Sequence, residues 1–156
     1  MHYALPILVV VLVIPGFFAL GQRGFAPFGR WQQALRLLLV LMLLGAAMEH
    51  FLHPDLFAAI IPPVFPYPHL LAIVSGFLET AGAIGLLLPS TRRPAALCLA
   101  LLMVAVFPAN IYVAGQTTGG LQMPGVLVRG AMQMVFIALI LLAGWGIPQA
   151  VRRKRD

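Results

Sequence analysis

The chain has 156 residues, 62% of them hydrophobic and 9% charged, with a mean hydropathy of +1.00. Ten Lys and Arg against four Asp and Glu give a formal net charge of +6. A soluble domain carries about 25% charged residues to wet its surface, so these numbers exclude a water-soluble globular domain, a disordered chain and a disulfide-stapled secreted module.

Five runs of about 18 or more mostly apolar residues follow one another along the chain. They cover 4–21, 35–53, 70–89, 95–114 and 126–147, about 99 residues in total. None alternates with a period of two, as a barrel strand does. Helices are the other way to satisfy a backbone in hydrocarbon. The prediction is an all-α polytopic membrane helix bundle.

The first run, 4–21, is preceded by His2 but by no Lys or Arg, and followed by Arg23 and Arg30. That charge order is the reverse of a secretory signal, so we read it as a retained first helix with its N-terminus outside. The connection to the second run also carries Arg36, the third-to-fourth connection carries Arg92 and Arg93, and the tail carries Arg152, Arg153, Lys154 and Arg155. The alternate connections, 54–69 and 115–125, have no Lys or Arg. Nine of the ten basic residues therefore fall on one side, which the positive-inside rule makes cytoplasmic. The expected location is the inner (plasma) membrane, with the C-terminus in the cytoplasm. The basic tail reads as an orientation signal with affinity for anionic lipid, and no nucleic-acid partner is expected.

The segment 54–69 (PDLFAAIIPPVFPYPH) has five prolines and one charge, Asp55. Its prolines forbid a continuous helix, and its apolar side chains forbid full solvation. The expectation is a short interfacial or re-entrant cap over the helix ends.

The remaining polar residues cluster by depth. Glu49, His50 and His53 fall at the outer end of the second run; Glu79, with Ser75 one turn above it, falls near the middle of the third. Asn110 lies in the outer third of the fourth run, and Arg129 and Gln133, four apart, in the outer half of the fifth. A charge at mid-bilayer costs roughly 2.5–3.5 kcal/mol, so Glu49, Glu79 and Arg129 are expected to face the bundle interior. The expected pair is Glu79 with Arg129; alternatively Glu79 is kept neutral by its proton. Gly76, Gly82 and Ala83 would let a neighbouring helix approach. Pro108 is expected to free the carbonyl of Val104. The candidate binding cluster is thus Glu49, His50, Ser75, Glu79, Asn110, Arg129 and Gln133.

Metal or haem ligation by His50, His53 and Glu49 lacks both HExxH and ExxH spacing, and no metal site is expected. Cys98 is the only cysteine, so no disulfide exchange is carried here. No nucleophile–base pair meets the geometric requirements of a free-standing enzyme.

Several stretches resemble the DoxX-like family of small bacterial membrane proteins. They are His50-Phe51 with Pro54 and Pro62, 75–89 (SGFLETAGAIGLLLP), 92–96 (RRPAA), 106–114 (VFPANIYVA), and Arg129 with Gln133. The resemblance implies a four-helix core over 35–148, preceded by an extra helix and basic loop over 1–34 and followed by a basic tail over 149–156. Because the family takes its name from a subunit linked to a thiosulfate:quinone oxidoreductase, it also implies an accessory or quinone-associated subunit of a membrane redox system. Quinone is then the cofactor to consider, and a redox enzyme the partner beside the lipid bilayer. The chain departs from the family in its fifth span, and no residue set has the spacing that ligates a redox cofactor. Two further readings stay open, a small-molecule or lipid binding or transport bundle and a structural or chaperone-like bundle.

Overall fold

The computed structural model describes residues 31–118 and 120–145, and the apolar run 4–21 and the tail 149–156 lie outside them. Within them the chain is mostly helical. Helix α1 spans Trp31–Leu52, α2 Pro54–Ala59, α3 Pro68–Leu87, α4 Arg92–Ala105, α5 Phe107–Tyr112 and α6 Val126–Trp145. Four stretches are long and apolar enough to cross a membrane: Gln32–Leu52, Pro68–Leu87, Arg92–Tyr112 and Val126–Trp145. They match the second to fifth runs to within three residues at each end.

Helix boundaries follow from proline. Pro54 keeps His53 out of the helical region (φ −130°, ψ 54°), which closes α1 and opens α2. Tyr67 sits in the left-handed region at φ 54° and Pro68 starts α3 behind it. The predicted cap over 54–69 contains one six-residue helix, α2, docked on α3 through buried Ala58. The connection 113–125 holds a two-stranded hairpin, β1 (Thr117–Thr118) and β2 (Leu121–Gln122), with Thr117 opposite Gln122. Gly120 supplies the positive φ, 77°, that its turn needs.

Helix α1 packs on α3, α3 on α4, α4 on α6, and α6 back on α1, an up-and-down ring with α3 and α6 on the diagonal. The apolar core fills one half of it. Val40, Leu43, Ala83, Leu86, Ala96, Leu99 and Ile140 form one cluster, and Leu35, Leu39 and Ala143 another beside it. All lie toward the end that bears Arg36, Arg92 and Arg93. Small residues set this close approach: a Cβ placed on Gly85 would stand 2.6 Å from that of Ala95, and one on Gly144 would strike Ala96.

Two arginines finish helices at this end. Arg36 Nε donates to Ala143 O (2.9 Å) in the last turn of α6, and Arg92 Nε to Leu86 O (3.3 Å) in the last turn of α3. Thr91 Oγ1 donates to Gly85 O at 3.0 Å. Each satisfies a carbonyl that the helix itself leaves open, and the cations sit at the negative end of the helix dipole.

Candidate polar site in the loop half of the bundle

The polar residues occupy the opposite half, toward the 53–67 and 113–125 connections, as their spacing predicted. They form two groups rather than one.

The first group joins α1 to α3. The buried stripe of α3 runs Ala72, Ser75, Gly76, Glu79, Gly82, Ala83, Leu86, the three- and four-residue spacing of one helix face. His50 reaches this stripe from α1. Its Nδ1 lies 2.8 Å from Ala72 O and 3.0 Å from Ser75 Oγ, and Ser75 Oγ itself donates to Ala72 O at 2.8 Å. A carbonyl only accepts, so Nδ1 carries the ring proton and Nε2 is left to face Glu79. Nε2 stands 3.8 Å from Glu79 Oε1, with the two side chains 12% and 9% exposed. Glu79 Oε2 is buried without a partner. Phe57 of α2 stacks on the imidazole, with centroids 3.7 Å apart and planes at 28°. A Cβ on Gly76 would stand 2.9 Å from His50 Cβ, so this glycine lets the imidazole lie against α3.

The second group joins α4 and α5 to α6. The predicted break at Pro108 is present: α4 ends at Ala105, and Val106 N–H bonds to Leu102 O at 2.9 Å. The freed acceptor is not the one expected. A cap N–H takes Val104 O, because the chain already leaves the α-helical pattern at Val106, and the carbonyl of Met103 is the one that looks inward. Gln133 Nε2 donates to it. Asn110 Nδ2 donates to Gln133 Oε1 at 2.7 Å, and Arg129 Nη2 donates to Asn110 Oδ1. The direction of this chain is determined at its ends. A guanidinium only donates and a carbonyl only accepts, so both amides have one permitted orientation. Arg129 Nη1 also contacts Met123 Sδ at 3.6 Å, and Arg129 Nε is buried without a partner.

Two expectations are corrected. Glu79 does not pair with Arg129: α3 and α6 are diagonal in the ring, and each residue meets its ring neighbours first, His50 for Glu79 and Asn110 for Arg129. Glu49 does not face the interior; its side chain is 58% exposed and lies 3.9 Å from His53 Nε2, one turn on. It is one residue from His50 and thus 100° away around α1. His50 and His53 are accordingly turned to different surroundings. His69 and Asp55 form a third, exposed pair at 3.4 Å.

The sequence reading missed Phe57, Met123 and the Met103 carbonyl. Phe57 was embedded in a proline-rich segment with no periodicity, and a backbone acceptor has no residue-type signal beyond a nearby proline.

Residues 39–144 match the model of a family described as Domain of unknown function (DUF8561). No curated protein and no solved structure matches the chain.

Proposed function

The chain belongs to the DUF8561 family, a description that carries no activity, and we propose from its own residues that it acts as a DoxX-like accessory protein of a membrane redox system that holds the head of a quinone against the His50–Ser75–Glu79 group. The proposed setting is a bacterial inner membrane with the C-terminus in the cytoplasm. In support, Arg36, Arg92 and Arg93 gather at one end of the bundle, the end that leads to the basic tail.

The observation that carries the reading is Glu79 Oε2, a buried carboxyl oxygen with no protein partner. A buried polar atom left unpaired costs about 1–3 kcal/mol, a cost that a ligand group removes. A carboxyl group carrying its proton donates to a quinone carbonyl, and His50 Nε2, on the other carboxyl oxygen, is the adjacent place for that proton to rest. Ser75 and Ala72 lock the imidazole so that only Nε2 takes part. Electrons would come from the partner enzyme; these residues bind, orient and hold a proton.

The test is saturable binding of a short-tailed quinone by the purified full chain in detergent, read by equilibrium dialysis. Wild type and Glu79→Gln, whose amide still donates, are expected to bind. Glu79→Leu should weaken binding by roughly tenfold, the loss of one buried hydrogen bond. Helix content and elution volume report whether each variant is folded. No saturable binding by wild type, or wild-type affinity in folded Glu79→Leu, would show that the group only sets helix packing.

A further inference from the structure

Arg129 poses a separate problem, one that does not depend on a quinone. Its guanidinium has five N–H donors; Asn110 and Met123 take one each, which leaves three, and Nε is buried. Among the described residues it makes no ion pair. Nor do α4, α5 and α6 carry a counter-charge, since no Asp or Glu occurs between Glu79 and Asp156. Helix position works against it as well. Arg36 and Arg92 cap helix C-termini, whereas Arg129 lies four residues into α6, near the end where the dipole is positive and anions are favoured.

The packing shows where an anion would enter. On α1 one stripe runs Leu35, Leu39, Met42, Ala46, Glu49, His53, and its burial fades along that order: the first two are buried, Met42 is intermediate and the last three are exposed. The facing stripe of α6 behaves the same way, from buried Ala143 through half-buried Phe136 to exposed Met132. The two helices are packed together in the apolar half, and these positions are open in the loop half. Arg129 lies in the first turn of α6, at the same end as these exposed positions, and a Cβ built on Gly45, Gly125 or Gly130 meets nothing within 4 Å. At about 1.5 Å per residue, Arg129 lies only about 4.5 Å below the start of α6, a depth at which lipid headgroups are found.

We propose that Arg129, held by the Asn110–Gln133–Met103 chain, is a binding site for the phosphate of an anionic lipid whose headgroup enters between α1 and α6. A phosphodiester has only acceptors to offer, which suits a guanidinium with three unused donors, and its charge is one that α4, α5 and α6 lack. Asn110 and Gln133 are positioning residues. Each amide commits its oxygen and one N–H to the chain, which keeps the guanidinium from swinging out to the bilayer surface.

The experiment is arginine-specific modification by phenylglyoxal of the full chain in detergent, read peptide by peptide by mass spectrometry. Phosphatidylglycerol, phosphatidylcholine or inorganic phosphate is added in separate arms. Phosphatidylglycerol is expected to slow modification of Arg129 by roughly tenfold, the scale of one charge-assisted contact, while phosphatidylcholine and inorganic phosphate leave it unchanged. Arg92 and Arg93 serve as internal references for non-specific lipid effects. In parallel, Arg129→Gln should lose the retention of phosphatidylglycerol through delipidation that Arg93→Gln keeps. Equal protection by phosphatidylcholine, protection confined to inorganic phosphate, or full lipid retention by folded Arg129→Gln would each overturn the lipid assignment. The quinone titration is read with lipid-free Arg129→Gln, so failure of either reading leaves the other standing.

Discussion

Gly82 and Gly45 offer a matched test of where the bundle is tight. Both lie well inside long helices, Gly82 in α3 and Gly45 in α1, so replacing either by Ala gains the same backbone term, about 1 kcal/mol. Their surroundings differ. A Cβ on Gly82 would run into Cγ and Cδ2 of Leu99 and lie 2.9 Å from Cδ1, whereas one on Gly45 meets nothing within 4 Å. Leu99 is 1% exposed and enclosed by Val40, Leu43, Leu86 and Ile140, so it has no free rotamer to retreat into. Forcing a methyl into such a core costs about 1–3 kcal/mol. With the shared term removed, Gly82→Ala should be about 1–3 kcal/mol less stable than Gly45→Ala. Denaturing-detergent titration followed by far-UV circular dichroism in mixed micelles measures the difference. Equal midpoints would refute the close contact of α3 with α4 and the open face of α1 around Gly45.

Two predictions concern the polar groups. Gln133→Leu removes the acceptor for Asn110 and the donor to Met103 O; at about 0.6–1.7 kcal/mol per bond inside a membrane, the same titration should show a loss of about 1–3 kcal/mol, and an unchanged midpoint would dissolve the donor chain. Phe57→Ala removes the ring stacked on His50, an interaction worth about 0.5–1.5 kcal/mol. Amide hydrogen exchange over 54–59 should then quicken by about two- to tenfold while α6 is unaffected, and unchanged exchange in α2 would mean that it is held by Ala58 alone.

The spans were legible because a bilayer imposes one requirement on a long stretch, and composition reports it directly. The helix break was legible for a similar reason, since Pro108 cannot donate and its ring excludes the preceding turn. The carbonyl it exposed was not, because the break propagates back to Val106 and the cap decides which oxygen is left. The placing of polar residues in one half followed from depth along each helix. Their partners did not, because depth says nothing about which helices are neighbours. Glu79 and Arg129 are charges of opposite sign within the spans, yet they stand on diagonal helices. The hairpin at 117–122 gave too short a pattern to register.

The low charge content by itself pointed to helices long and apolar enough to cross a membrane, and the positions of its few charges determined how far along each helix they sit. Those are one-dimensional quantities, set by hydropathy and by a rise of about 1.5 Å per residue. Which way a side chain is turned, and what it meets, came only with the ring of helices. Tertiary packing put Glu49 on the outside and His50 on the inside from adjacent positions, joined His50 to Glu79, and left Arg129 Nε buried without a partner. Such pairings depend on the contact of one helix face with another, and a sequence read residue by residue contains no record of which faces meet.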